Sequence, residues 1–117
     1  MPAENQTISI PAGDSRKIEI RVKDSAGVDV PLTGATVRWW AGKSVQSTGV
    51  DVHIQKTSDS GGGITLSGAT ATVTVESAET AAITPGTGYH EAEVAFADGT
   101  VSTVSSGEFI IRPTLIR

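Results

Sequence analysis

The chain has 117 residues and no cysteine, with 9 lysines and arginines against 13 aspartates and glutamates, for a net charge of −4. That length suits one domain, 1–117, able to bury a core without covalent staples. The missing cysteines exclude a disulfide scaffold and thiolate chemistry, the mildly acidic balance argues against a nucleic-acid partner, and no apolar run approaches the roughly 20 residues that cross a bilayer.

The opening residues, Met1-Pro2-Ala3-Glu4-Asn5-Gln6, carry neither a basic nor an apolar stretch, so no signal peptide is expected and 1–5 is read as a flexible lead. The apolar residues that follow are mostly β-branched. There are 12 Val, 10 Ile and 15 Thr but only 3 Leu and 1 Met. Such stiff side chains fit a pleated surface better than a helix, so the composition points to an all-β domain.

Period-2 alternation recurs along the chain, with turn residues between the runs. The first run is Thr7-Ile8-Ser9-Ile10, closed by Pro11 and Gly13. The second covers 17–23. Its Ile18, Ile20 and Val22 share one face, and Lys17, Glu19, Arg21 and Lys23 share the other. Asp24-Ser25-Ala26-Gly27 reads as a tight turn, since Asp bonds its own backbone and Gly accepts positive φ. A short strand over Val28-Asp29-Val30 is expected before Pro31.

Residues 35–41 form the next strand. An arginine is costly inside a core, so Val37 and Trp39 are assigned inward, with Arg38 and Trp40 on the outer face. In 49–55, Val50, Val52 and Ile54 point in, and Asp51, His53 and Gln55 point out. The glycine-rich stretch 58–63 is expected to be a mobile hairpin connection. Short strands follow at 64–66 and 71–75. One helical signal, near 77–83, has Ser77 as its expected cap and ends at Pro85-Gly86. Then comes a strand over 90–96, an Asp98-Gly99 hairpin turn, a return over 100–104 and a closing strand over 108–112. Strands spaced every 8–12 residues, with dense inward aliphatics, predict a β-sandwich of about 7–9 strands with one short helix. The helix falls where an immunoglobulin-type sandwich crosses between its sheets.

Catalytic and metal chemistry find little support. His53 and His90 lie on separate strands with no His-x-His or His/Asp cluster, so His53 is read as a surface residue and His90 as a partly buried, hydrogen-bonded one. Glu91 and Glu93 lie on one strand face, and paired carboxylates can in principle hydrolyse glycosides, but same-face neighbours are only about 7 Å apart along a strand and nothing in the sequence suggests a cleft around them. A solvated acidic face paired with Lys17, Arg21 or Lys23 is preferred. Gly61-Gly62-Gly63 lacks the Gly-Lys-Ser/Thr ending of a phosphate loop, and no serine elbow occurs. Asn5-Gln6-Thr7 matches a glycosylation sequon by chance. The expectation is therefore a non-enzyme without metal or cofactor. Its candidate interface residues are Arg38 and Trp40, whose residue types anchor many protein contacts, with Tyr89 on the same kind of outer face.

From 77 to 116 the chain runs from a short Ala/Thr-rich helix to Pro85-Gly86-Thr87-Gly88-Tyr89-His90-Glu91. A Val94-x-Phe96-x-Asp98-Gly99 hairpin follows, then Val101-Ser102-Thr103-Val104, Gly107 and Phe109-Ile110-Ile111. This third of the chain resembles small immunoglobulin-like virion proteins of tailed bacteriophages and prophages, and is similar in layout to the N-terminal domains of phage baseplate upper proteins. Pro31-Leu32-Thr33-Gly34-Ala35-Thr36-Val37 is a further entry common in such domains. The resemblance implies an immunoglobulin-like fold and a structural role at a tail, baseplate or head–tail joint. It implies other virion proteins as partners, with further copies of the chain in a ring, while the charge balance and the lack of a long apolar run argue against a nucleic-acid or membrane partner. It also implies assembly in the host bacterial cytoplasm before incorporation in the virion. The tail 113–117 is apolar and follows the last strand, where it is expected either to dock on a neighbour or to finish the domain's own edge. A carbohydrate-binding or adhesion module, which also uses exposed aromatics on a sandwich face, is the alternative.

Overall fold

A computed structural model describes residues 6–43 and 52–115. The expectations for 1–5, for Asn5, for Val50 and Asp51 and for the last two residues lie outside this range. Among the described residues, eight strands and one helix follow in order: β1 (Ile8–Pro11), β2 (Arg16–Arg21), β3 (Thr36–Gly42), β4 (Val52–Thr57), β5 (Ile64–Ser67), β6 (Thr70–Val75), α1 (Ser77–Ala81), β7 (Gly86–Ala95) and β8 (Val101–Arg112).

The strands form two sheets, β1-β8-β7-β3-β4 and β2-β6-β5. All neighbours are antiparallel except β1, which runs parallel to β8. The chain crosses between sheets at β1–β2, β2–β3, β4–β5 and β6–β7, while β3–β4, β5–β6 and β7–β8 pair within a sheet. The result is an all-β, two-sheet sandwich, with the short helix at the crossing from β6 to β7.

Alternation explains which side chains fill the space between the sheets. Ile20 and Val22 of the second run, Val37, Trp39 and Ala41 of β3, Ala71, Val73 and Val75 of β6, Ala92 and Val94 of β7, and Phe109 and Ile111 of β8 are all buried. Ile18 and Val52 face the same way but are half-buried. Trp39 is fully buried and meets Phe109 edge-on, with ring centroids 5.6 Å apart at 73°. That is a favourable aromatic geometry.

Several elements differ from the sequence reading. Val28-Asp29-Val30 forms no strand. A single bridge joins Lys23 and Asp29, and Val28 is 59 % exposed. Asp24 draws the segment into a tight loop, its Oδ1 accepting from the N–H of Ala26 and of Val28, and Pro31 then ends any ladder. The stretch 58–63 is not a hairpin, because β4 and β5 belong to different sheets. It is a hydrogen-bonded crossing in which Thr57 N–H donates to the Gly62 carbonyl and Gly62 N–H to that of Asp59. A Cβ on Gly62 would fall 2.3 Å from the Thr57 carbonyl oxygen, so the crossing needs a glycine there.

The helix cap is Glu76 rather than Ser77, with Glu76 N–H donating to Glu79 Oε1 at 2.9 Å. Thr80, buried one turn on, ties α1 to the β1–β2 turn. Its hydroxyl accepts from Gly13 N–H at 3.0 Å and lies 2.8 Å from the Asp14 carbonyl, to which it donates. Strand β7 begins at Gly86, four residues ahead of expectation, pairing Gly86-Thr87-Gly88 with Ile111-Ile110-Phe109. The return and closing strands are one continuous twelve-residue β8. Gly107 does not interrupt it but pairs with His90. The ladder's one irregularity falls instead between Ala92 and Glu93, where Val104 is the extra residue.

Candidate interaction face

β3 lies between β7 and the edge strand β4, which fixes the neighbours of its outward side chains. Trp40 sits opposite Glu91 on one side and Gln55 on the other. Arg38 sits opposite Glu93 and Thr57, and Gly42 opposite Tyr89. Because side chains alternate with period two, Arg38, Trp40, Tyr89, Glu91 and Glu93 all rise from one surface. Trp40 is 42 % exposed, whereas the next residue back along the strand, Trp39, is 0 %.

Arg38, Trp40, Glu91 and Glu93 line a shallow groove of ≈ 190 Å³. Pockets for cofactor-sized or drug-sized molecules span roughly 300–1,000 Å³, so this one suits a side chain or a single ring. The Arg38 guanidinium is paired with the Glu93 carboxylate. Tyr89 stands on the same surface but does not line the groove. Its hydroxyl reaches Glu91 Oε2 only loosely, at 3.4 Å. Of the three candidates read from the sequence, the fold therefore brings Arg38 and Trp40 together and places Tyr89 one step aside.

The partners expected for Glu91 and Glu93 require correction. Lys17, Arg21 and Lys23 belong to the β2 side, in the other sheet, and point away from the opposite surface of the sandwich. Arg21 is held instead by Asp29 through two bonds of 2.9 and 2.6 Å. These bonds raise the guanidinium and lower the carboxyl from their ordinary values. Alternation reveals which face a carboxylate occupies but not which strand will lie beside it. For that reason Glu91 and Glu93 were not recognised as groove residues.

Behind this surface lies a second polar group. His90 is 1 % exposed and sits between Trp39 and the N-terminal segment. Trp39 Nε1–H donates to His90 Nδ1 at 3.3 Å, and His90 Nε2 is bonded to the Gln6 carbonyl. Both ring nitrogens are thus used by a neutral imidazole that donates from Nε2. Burial pushes the His90 pKa down, and the Gln6 bond offsets part of that effect. The residue is a hydrogen-bonded core histidine, more deeply buried than expected. His53 is exposed, as its alternation implied. Among the described residues no three His, Asp or Glu side chains converge as metal ligands, and no helix is long and apolar enough to cross a membrane.

Comparison with known proteins finds no family model that matches the chain, and no curated protein matches it either.

Proposed function

We propose that this domain is a non-enzymatic structural or assembly protein of a tailed-phage or prophage virion, acting by packing against other virion proteins through the outer face of its five-stranded sheet. The observation that carries the reading is Trp40, a large aromatic left 42 % exposed on a regular sheet surface beside Arg38. Burying such a ring against a partner gains apolar contact at little conformational cost, which is why Trp and Arg dominate the energetics of many interfaces. The resemblance of 77–116 to virion proteins supports the choice of partner class. On this reading the protein assembles in the host cytoplasm and ends in the particle.

The test is co-expression of the full chain with the products of its neighbouring genes. Co-migration on sizing that is lost in Trp40→Ala, with the variant still folded, supports the reading. Neighbouring genes of a metabolic operon, or co-migration indifferent to Trp40, overturn it. A carbohydrate-binding module is favoured by one observation, the polar flanks that Arg38, Glu91 and Glu93 give to Trp40. Saturable, Trp40-dependent binding of neutral oligosaccharides would establish that alternative.

A further inference from the structure

We propose that the groove at Trp40 receives a single lysine or arginine side chain from a protein partner. This rests on reading the face as a protein contact and adds the chemistry the partner presents. The negative face of an indole attracts a cation that lies over it. Trp40 offers such a face, since among the described residues neither a ring nor a cation stacks on it, and the aromatic contacts there are those of Trp39.

The neighbouring charges favour the same occupant. Arg38, two residues back on the same face, is drawn aside by Glu93. Glu91 stands directly across from Trp40, and among the described residues its carboxylate has only the loose 3.4 Å contact from the Tyr89 hydroxyl. Glu108, opposite Tyr89 on β8, adds a further exposed carboxylate on this side. Gln55 and Thr57, the β4 neighbours, are uncharged, and His53 is the remaining titratable group on that strand's outer side. Arg112 lies on the same face of β8 but six residues beyond Ser106, the residue facing Glu91; that is about 20 Å along a strand. The groove therefore combines an open aromatic face, an incompletely used carboxylate and a volume of ≈ 190 Å³. A long cationic side chain satisfies all three, with its stem on the indole and its head at Glu91.

The experiment follows the Trp40 indole N–H of the full-length chain by NMR. The probes are a blocked peptide Thr-Lys-Thr, its Thr-Glu-Thr counterpart and methyl glucoside. The buried Trp39 indole serves as an internal reference. The lysine peptide should shift the Trp40 signal saturably, with a dissociation constant on the order of 1 mM. Glu91→Gln should weaken it by about tenfold, as loss of a charge-assisted bond does. Raised salt should weaken it as well. Equal shifts from the glutamate peptide, or unchanged affinity in Glu91→Gln, overturn the proposal. So does saturation by the glucoside where the lysine peptide gives none. If the lysine peptide fails while Trp40→Ala still abolishes co-migration with a neighbouring gene product, the face remains a protein contact and the cation assignment alone falls.

Discussion

Trp39 and Trp40 are neighbours on one strand, yet they belong to regions built on opposite principles. Trp39 closes the interior. It is packed edge-on against Phe109, its N–H is taken by His90, and none of its surface is exposed. Trp40 stands outside among charges, with much of its ring in water and no hydrogen bond from its N–H among the contacts of the described residues. The difference comes from the pleat alone, which sends successive side chains to opposite faces. It teaches that a large aromatic on this fold contributes to stability or to contact according to parity, and that the two roles separate cleanly by mutation.

The sharpest way to break that contrast is to truncate each ring. Trp39→Ala should cost about 3–5 kcal/mol, the range for a fully buried large side chain, and also strand the His90 Nδ1 acceptor. Trp40→Ala should change stability by less than about 1 kcal/mol. Urea denaturation of both variants checks this. Similar losses in the two would mean that Trp40 is part of the core and the outer face is misassigned.

A smaller effect is expected where the N-terminal segment crosses β8. A Cβ on Gly107 would lie 2.5 Å from both the N and O of Gln6. Gly107→Ala should therefore displace Gln6 and its bond to His90, at about 1–3 kcal/mol, the usual cost of overpacking. Amide exchange should quicken over residues 6–11 before the rest of the domain. Uniform loss of protection, or none, would remove Gly107 from this role.

His90 sharpens the interior side of the comparison through pH. Its folded pKa is depressed, so the stability due to the neutral ring is fully present above the ordinary histidine value of about 6.5. It is lost as pH falls from that value through the folded pKa, because the unfolded chain takes up the proton first. Protonation would also turn Nδ1 into a donor facing the Trp39 N–H. The wild-type denaturation midpoint should fall between pH 7 and 5. His90→Gln, less stable at pH 7, should show a smaller fall over that range; an equal one would show that the carboxylates, not His90, set the slope.

The sequence reveals these two regions unequally. The inward and outward sets of 17–23, 35–41 and 90–96 were readable because each alternates apolar with polar residues, and the aliphatics around Trp39 follow from that pattern. The buried end of His90 was half-readable, since it shares parity with Ala92 and Val94. What alternation cannot encode is adjacency. Glu93 beside Arg38, and Lys17 far from both, depend on which strands share a sheet. Gly107 misled for a related reason. Ser105-Ser106-Gly107 reads as a gap between the strands 100–104 and 108–112, whereas here Gly107 admits a second backbone while the ladder continues past it. Glu76 as helix cap was hidden by Ser77, the stronger capping residue one position later.

The smallest expected effect tests the outer region from within. Arg38 and Glu93 are both partly exposed, so Arg38→Met should alter stability by no more than about 1 kcal/mol. Its consequence should be electrostatic. Removing the guanidinium releases the Glu93 carboxylate beside Trp40 and leaves the groove one charge more negative. A cationic peptide probe should then bind several-fold more tightly at low salt, with the advantage vanishing as salt screens it. If Arg38→Met weakens the probe instead, the Arg38–Glu93 pair holds the groove in its binding shape, and its positioning role outweighs its charge. If it leaves binding unchanged at every salt concentration, Trp40 binds through its apolar surface alone, and the charges around it serve only to keep the face soluble.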